Sequence, residues 1–316
     1  MDTNHWEPDG LLPGFEQRFI QLPDRSDPAL RATLVRLPAA PSQRVALYIH
    51  GFSDYFFQRH LSEQYAARGY AFYAIDLRRY GRSLLAGQPP CFCHDLREYF
   101  TEIDAAIAII EREHPGARLL LSGHSTGGLL ATLYGAEGQR RAAVHAIHLN
   151  SPFFGFYATP PQQRQIAIVA AIGRIAPRLP VDTGGLPVYG QSLHQSERGE
   201  WEFDVRLKPI AGFAPYAGWI RAIAAAHRRV HAGLGIAQPV SLMHSARSIR
   251  QSEWGDGYFA ADAVLDVEHM RRHGPGIGAN VTLFEIDGGM HDLALSPAPA
   301  RARYFDALFG WAGGAL

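Results

Sequence analysis

Leu119-Leu-Leu-Ser-Gly-His-Ser-Thr-Gly-Gly-Leu-Leu130 decides the fold. It opens with an apolar run of strand length, and a helical pattern runs from about Thr126 to Glu137. Between them stands Gly123-His-Ser-Thr-Gly127, a Gly-x-Ser-x-Gly sequence in the strand–turn–helix setting that gives it meaning. A serine in so sharp a turn needs small neighbours two residues before and after it, where strand and helix converge. Its Oγ then projects at the C-terminal edge of a sheet, beside a helix N-terminus. The bland alternative is a Gly-rich turn that packs a helix on a strand. The flanking elements favour a nucleophile at Ser125.

Outward from this turn, strands and helices alternate. Arg44–Ile49, Tyr70–Ile75 and Ala143–Leu149 have the composition of buried strands. Gln58–Arg68 is a helix stopped by Gly69, and Leu96–Glu113 places Tyr99, Ile103, Ala106, Ile107 and Ile110 at helical spacing before Pro115-Gly116. Such alternation implies a parallel sheet covered by helices on both faces. Ahead of it, Phe15–Leu22 and Ala29–Leu37 predict an antiparallel hairpin turning at Asp24–Asp27.

The rhythm stops after Ser151-Pro152 and resumes with a strand at Pro239–His244, a helix near Ala263–Arg272, a strand at Val281–Ile286 and a helix over Pro299–Trp311. The interval holds no clear strand and two helical stretches, Gln165–Ile175 and Gly218–Leu234. It is too long for a structureless loop. The expected organisation is an α/β core of residues 1–152 and 239–316 carrying a helical cap, or lid, over 153–238.

An acyl-transfer nucleophile needs donors for the oxyanion that develops as it attacks. His50-Gly-Phe-Ser-Asp54 ends the Val45–Ile49 strand and offers one, the backbone N–H of Phe52. The other is the N–H of the residue after the nucleophile, Thr126. His50-Gly, then Asp76-Leu-Arg-Arg-Tyr-Gly-Arg-Ser83, then Gly123-His-Ser-Thr-Gly127 resembles the α/β-hydrolase superfamily. More narrowly it resembles the branch of the serine aminopeptidases S33, monoacylglycerol lipases and lysophospholipases. The likeness covers about residues 30–150 and 239–312. It implies a mostly parallel sheet with a helical insertion, a serine esterase or lipase activity, and a scaffolding role for Asp76–Ser83.

The resemblance also implies a histidine in the loop after the last strand. Asp287-Gly-Gly-Met-His291 supplies it, with a glycine pair that lets the imidazole reach the serine. His50 and His124 flank the other motifs as structural residues. The family's acid follows the preceding strand closely, and here His244-Ser-Ala-Arg-Ser248 contains none. Across an insertion, Ile249–Ala261, the first matching piece is Asp262-Ala-Val-Leu. Asp262 is the expected triad acid and also stands where a helix N-cap belongs. Asp266 and Asp256 are the alternatives.

The expected enzyme is therefore a cofactor-free serine hydrolase with Ser125, His291 and Asp262 as its catalytic triad. Its expected partner is a small-molecule carboxylic ester with a hydrophobic acyl chain, like a monoacylglycerol or lysophospholipid. Trp201, Trp219 and Phe154 are the candidate wall of an apolar pocket, although cap aromatics also serve as the cap's own core. An aminopeptidase would need an acidic anchor, for which Glu200, Glu202 and Asp204 are the clustered candidates. A ligand receptor on the same fold is the non-enzymatic alternative.

Composition narrows the field further. In 316 residues, 47% hydrophobic and 19% charged, wholesale disorder is excluded. Thirty Lys+Arg balance 30 Asp+Glu, so no field of one sign draws the chain to nucleic acid or an anionic membrane. Lys208 is the only lysine. Two cysteines, Cys91 and Cys93, make no disulfide framework and suit a reducing compartment. Met1–Gly10 has neither the basic start nor the apolar core of a signal peptide, and no apolar run reaches transmembrane length. The expectation is a soluble cytoplasmic protein, its oligomeric state unspecified. No metal is expected. His227-Arg-Arg-Val-His231 lacks the Glu of a zinc protease, and Cys91-Phe-Cys-His94 lacks a second ligand pair.

Overall fold

The computed structural model describes residues 5–24, 27, 29–184, 187–251 and 254–316. Its elements run β1 (Glu7–Pro8), β2 (Glu16–Gln21), β3 (Arg31–Arg36), β4 (Arg44–Ile49), α1 (Arg59–Ala66), β5 (Tyr70–Asp76), α2 (Phe100–Glu113), β6 (Arg118–His124) and α3 (Thr126–Glu137). Then come β7 (Val144–Asn150), α4 (Pro160–Ile172), α5 (Pro187–Leu193), α6 (Ala217–His231), β8 (Val240–Ser245), α7 (Val267–His273), β9 (Val281–Ile286) and α8 (Ala298–Ala315). The strands form one sheet in the order β1-β2-β3-β5-β4-β6-β7-β8-β9. From β5 to β9 all neighbours are parallel, and β1 to β3 add an antiparallel edge.

The period of two along each strand sorts side chains into two layers. Val45, Leu47 and Ile49 of β4 point into one core with Ile103 and Ile107 of α2, Leu129 and Leu133 of α3 and Met270 of α7. Ala46 and Tyr48 point the other way, against Leu61 and Tyr65 of α1 and Tyr304 and Leu308 of α8. β5 and β6 divide likewise, with Tyr73 and Leu121 on the first face and Phe72 and Leu120 on the second. Burial on both faces is why these strands read as unbroken apolar runs rather than alternating ones.

The expected hairpin is β2 paired with β3, from Glu16 opposite Arg36 to Gln21 opposite Arg31. Of its predicted turn, Arg25 and Ser26 lie outside the described residues, as do Met1–Asn4 of the N-terminal segment. β1 was not foreseen, because two residues carry no periodicity.

Between β7 and β8 the order of elements differs from expectation. α4 begins at Pro160, earlier than Gln165, because Thr159 and Gln162 make a capping box with proline in the first turn. α5, with glycine and valine in its short span, had no helical signature. α6 nearly matches the predicted stretch, and its buried face includes Trp219, Ile220, Ile223 and Val230. α7 starts at Val267 rather than near Ala263. Among the described residues no helix is long and apolar enough to cross a membrane.

Candidate active site

Ser125 joins β6 to α3 with φ +54° and ψ −116°, a conformation that side chains rarely adopt. Two close approaches impose it. A Cβ on Gly123 would collide with the Gly127 carbonyl, and one on Gly127 with the carbonyls of Ile49 and His50. With no space for another atom, the chain must reverse at one residue. The end of β7 and the residues after it hold that residue. Ser125 N donates to Asn150 O at 2.9 Å, and Phe153 N donates to Ser125 O at 3.0 Å.

A hydrogen-bond chain runs from this serine into the protein. Ser125 Oγ lies 3.0 Å from His291 Nε2, and His291 Nδ1 lies 2.9 Å from Asp262 Oδ2. All three residues are buried. An ionised carboxylate only accepts, so Nδ1 carries the imidazole hydrogen and Nε2 is left to accept from the hydroxyl. The other Asp262 oxygen accepts from the N–H groups of Val264 and Leu265, each at 2.8 Å, and these fix the carboxylate.

Asp262 lies well past the end of β8, yet residues 249–261 form an excursion whose ends meet. Ile249 N donates to Asp262 O at 2.8 Å, Asp262 N donates to Arg247 O at 2.9 Å, and Ser248 bridges Asp262. The acid thus occupies the place of a residue just beyond the strand. Within the excursion, Ser252 and Glu253 lie outside the described residues. The expectation that Asp262 also caps a helix is corrected. The N-cap of α7 is Asp266, which accepts from Glu268 N at 3.1 Å. The amides that Asp262 binds belong to a turn ending at Leu265, and the helix starts only after it. Asp266 is thereby engaged away from His291.

The His291 loop turns at Gly288, with φ +68°. It is fixed by groups the sequence did not single out. Buried Asp292 accepts from Asn150 Nδ2 at 2.8 Å and Ala294 N at 3.0 Å. The Tyr189 hydroxyl, from α5, accepts from Asp292 N at 3.3 Å, and its ring meets His291 edge-on at 5.6 Å. Asp292 had one visible signal, its place beside His291. Tyr189 had none.

The two expected oxyanion donors border the serine. Thr126 is the first residue of α3, so no intrahelical carbonyl can take its N–H. Phe52 follows Gly51, where a Cβ would stand 3.3 Å from Ser125 Cβ. His50 is scaffold: Leu77 N donates to its Nε2 at 3.1 Å, and its Nδ1 lies 2.8 Å from Gly51 O. His124 lies with its ring 4.8 Å from that of His291, and burial holds its pKa below the ordinary value. In the Asp76–Ser83 turn, Asp76 accepts from Phe56 N at 2.8 Å and from Arg82 Nη1 at 2.8 Å, and Arg82 reaches Asp9 at 2.6 Å. That network ties the loop after β4 to the loop after β5.

Ser125 and His291 open onto a cavity of about 360 Å³, walled by Phe52, Phe153, Phe156 and Trp219 among others. The Phe52 and Trp219 rings are 4.2 Å apart. Trp219 therefore lies where the pocket reading put it. Trp201 and Phe154 do not. Trp201 stacks on His60 at 4.3 Å and donates from Nε1 to Leu295 O at 2.8 Å, which turns it away from the cavity. Phe154 is fully buried in the core behind the wall. Of the acids considered as an amine anchor, Glu200 pairs with Arg301 at 2.6 Å and Asp204 with Arg206 at 2.6 Å, while Glu202 is exposed and outside the cavity lining.

Among the described residues no group of three or more His, Cys, Asp or Glu could hold a metal ion. His227 and His231 lie with Nε2 at 2.9 and 2.7 Å from the carbonyls of Phe153 and Phe154. Cys91 and Cys93 are buried free thiols, and burial pushes both pKa values up.

Comparison with known proteins agrees with this architecture. Residues 40–247 match the family model described as serine aminopeptidase, S33. A monoacylglycerol lipase of Mycolicibacterium smegmatis is 28% identical over 149 residues, which cover 46% of this chain and 50% of that relative's length. Among solved structures, a soluble variant of monoglyceride lipase from Saccharomyces cerevisiae superposes with a TM-score of 0.72 at 15% identity, covering 100% of this chain and 98% of that one. A monoacylglycerol lipase of Paleococcus ferrophilus gives 0.66 at 18%, covering 91% and 99%. At such identities the structures establish the fold, the α/β-hydrolase fold.

The strain at Ser125 is open to direct measurement. Glycine tolerates the elbow conformation, whereas alanine keeps the disfavoured φ. Ser125→Gly should therefore be more stable than Ser125→Ala by about 1 kcal/mol, after allowance for the looser unfolded chain. Urea unfolding of the two variants decides it. An alanine variant at least as stable as the glycine variant would mean that the elbow is unstrained.

Proposed function

The chain belongs to the serine aminopeptidase S33 family, and from that premise we propose that it is a serine hydrolase of carboxylic esters with a hydrophobic acyl chain. One observation carries the reading: a continuous Ser125–His291–Asp262 hydrogen-bond chain opening on an apolar cavity. In the proposed cycle His291 Nε2 takes the Ser125 proton as Oγ attacks the ester carbonyl. The N–H groups of Phe52 and Thr126 hold the oxyanion, which is worth most in a site closed to water. The imidazolium gives its proton to the departing alcohol, leaving an acyl-enzyme on Ser125. Water attacks the acyl carbonyl as His291 takes its proton, and when the bond to Ser125 Oγ breaks the imidazolium returns that proton to Oγ and the acid leaves. Asp262 holds the imidazole in the required tautomer and stabilises its charged form.

Within this reading, residues 153–238 are the cap that shapes the acyl site. The aromatic wall favours a hydrocarbon chain over a peptide N-terminus. Glu200 and Asp204, which could have anchored an ammonium group, are paired with arginines. The names of the lipase relatives agree with an ester substrate. Monoacylglycerols and lysophospholipids are the substrate class that fits.

Asp262→Asn should slow ester hydrolysis on the order of 10³–10⁴-fold by admitting the wrong His291 tautomer. Asp266→Asn should cost little activity, since asparagine still caps α7 and Asp266 makes no bond to His291. Steady-state rates of the two variants test the assignment, and the reverse ranking would move the acid to Asp266.

Chain-length preference tests the substrate class. Each methylene buried against the wall contributes about 0.8 kcal/mol, roughly fourfold. From acetyl through butyryl to hexanoyl esters, four added methylenes, kcat/KM should climb by about two decades when the gain is realised in the transition state. Trp219→Ala should flatten that slope, whereas Trp201→Ala should lower the melting temperature and leave the slope intact. A flat or falling wild-type profile would refute the lipid-like class and favour a small-ester or amide substrate.

A further inference from the structure

The chain's only lysine is not on the surface. Lys208 belongs to the segment between α5 and α6, lines the cavity above Ser125, and pairs with buried Asp54 at 2.7 Å. Asp54 lies in the His50–Asp54 loop, two residues past the Phe52 N–H, and its second carboxylate oxygen accepts from Gly51 N at 3.3 Å. The lysine is one of three donors from a single segment. Three consecutive loop residues each accept from it: Ser53 Oγ from Phe213 N at 2.9 Å, Asp54 Oδ1 from Lys208 Nζ at 2.7 Å, and Tyr55 OH from Asp204 N at 2.8 Å. Residues 204–213 thus run as a strap along residues 53–55, in the opposite direction.

The loop needs an external hold. Ser53 has φ +51°, a conformation a serine keeps only when its surroundings impose it. The strap supplies two of its holds through backbone amides and the third through a charge. A compact ammonium with three donors suits that place, since it lies under the Phe57 and Phe203 rings, each 5.7 Å from Nζ. Burial alone would raise the Asp54 carboxyl. The Lys208 ammonium outweighs burial and holds it below the usual carboxylate range.

We propose that Lys208 is a positioning residue: through Asp54 it clamps the Gly51–Tyr55 loop to the strap and so aims the Phe52 N–H at the oxyanion. The proposal rests on the esterase reading above for its kinetic consequence, though the clamp itself does not. Lys208 does not touch the reacting atoms. Its removal acts on the transition state, in which the oxyanion bond is made, and leaves ground-state binding of the acyl chain to the aromatic wall. It also links two parts of the molecule: any displacement of the strap loosens the amide on which the chemistry depends.

The test compares wild type with Lys208→Met, which keeps the length of the side chain, Asp54→Asn, which keeps its shape, and Lys208→Arg, which keeps a cation. Backbone hydrogen exchange at residues 52–55 and steady-state kinetics with a butyryl ester are read on each folded protein. Exchange at these amides should rise at least tenfold in Lys208→Met and Asp54→Asn. Their kcat should fall by about tenfold to a hundredfold, the scale of an ångström's misplacement in a reacting site, with KM within about twofold. Lys208→Arg should recover most of both. If Lys208→Met fails to fold, Asp54→Asn carries the same two readouts. Unchanged exchange at 52–55 would overturn the clamp. Raised exchange with unchanged kcat would overturn the positioning role, as would a loss confined to KM. A wild type that turns over no ester would count against the esterase reading instead, and the exchange measurement would still decide the clamp.

Discussion

The molecule is organised by the lack of space between β6 and α3. Gly123 and Gly127 let strand, helix and the end of β4 approach so closely that no Cβ fits, and Ser125 takes the strained conformation that results. This constraint sets the rest of the site. The serine stands at the sheet edge, the first amide of α3 points past it, and the loop after β4 must run alongside. Every other group reaches the serine from the C-terminal end of a parallel strand: Phe52 after β4, Asp262 after β8 and His291 after β9. An open parallel sheet gathers such loops at one edge, which is where ligands bind in these folds.

Rigidity around the strained residue comes from buried polar networks rather than from apolar packing alone. Asp76 and Arg82 fasten the loops after β4 and β5, Asn150 and Asp292 fasten the His291 loop to β7, and Asp262 is fastened by two amides of its own turn. These groups are satisfied pairwise inside a low-dielectric interior. Loss of either partner leaves a buried polar group stranded, which costs more than the bond itself is worth. On the proposed function the cost falls on activity as well as stability, because these bonds hold the Ser125–His291–Asp262 geometry.

The central strands were readable because they are buried on both faces and separated by glycine and proline stops. The elbow was readable because its glycines are sterically required and stand in sequence order. His291 was expected from the family resemblance, which places a histidine in the loop after the last strand, and the glycine pair there gives the loop its freedom. Asp262 was harder, since only the pairing of Ser248 with Asp262 in space makes it a neighbour of β8. Its supposed helix cap belongs to Asp266 for the same reason: the course of the intervening turn is a tertiary fact. Trp201 and Phe154 illustrate the limit of aromatic composition, which counts rings without saying which way they face. Tyr189 and the strap over residues 204–213 left no periodic or motif-like trace, because single long-range bonds place them.

The account stands on Ser125 being an activated nucleophile in the folded protein. Intact mass and peptide mapping after exposure to a fluorophosphonate test that most directly. A single adduct on Ser125, formed by the folded wild type and lost on unfolding, is the predicted result. A folded protein that takes up no reagent, or takes it up at another residue, would contradict the account.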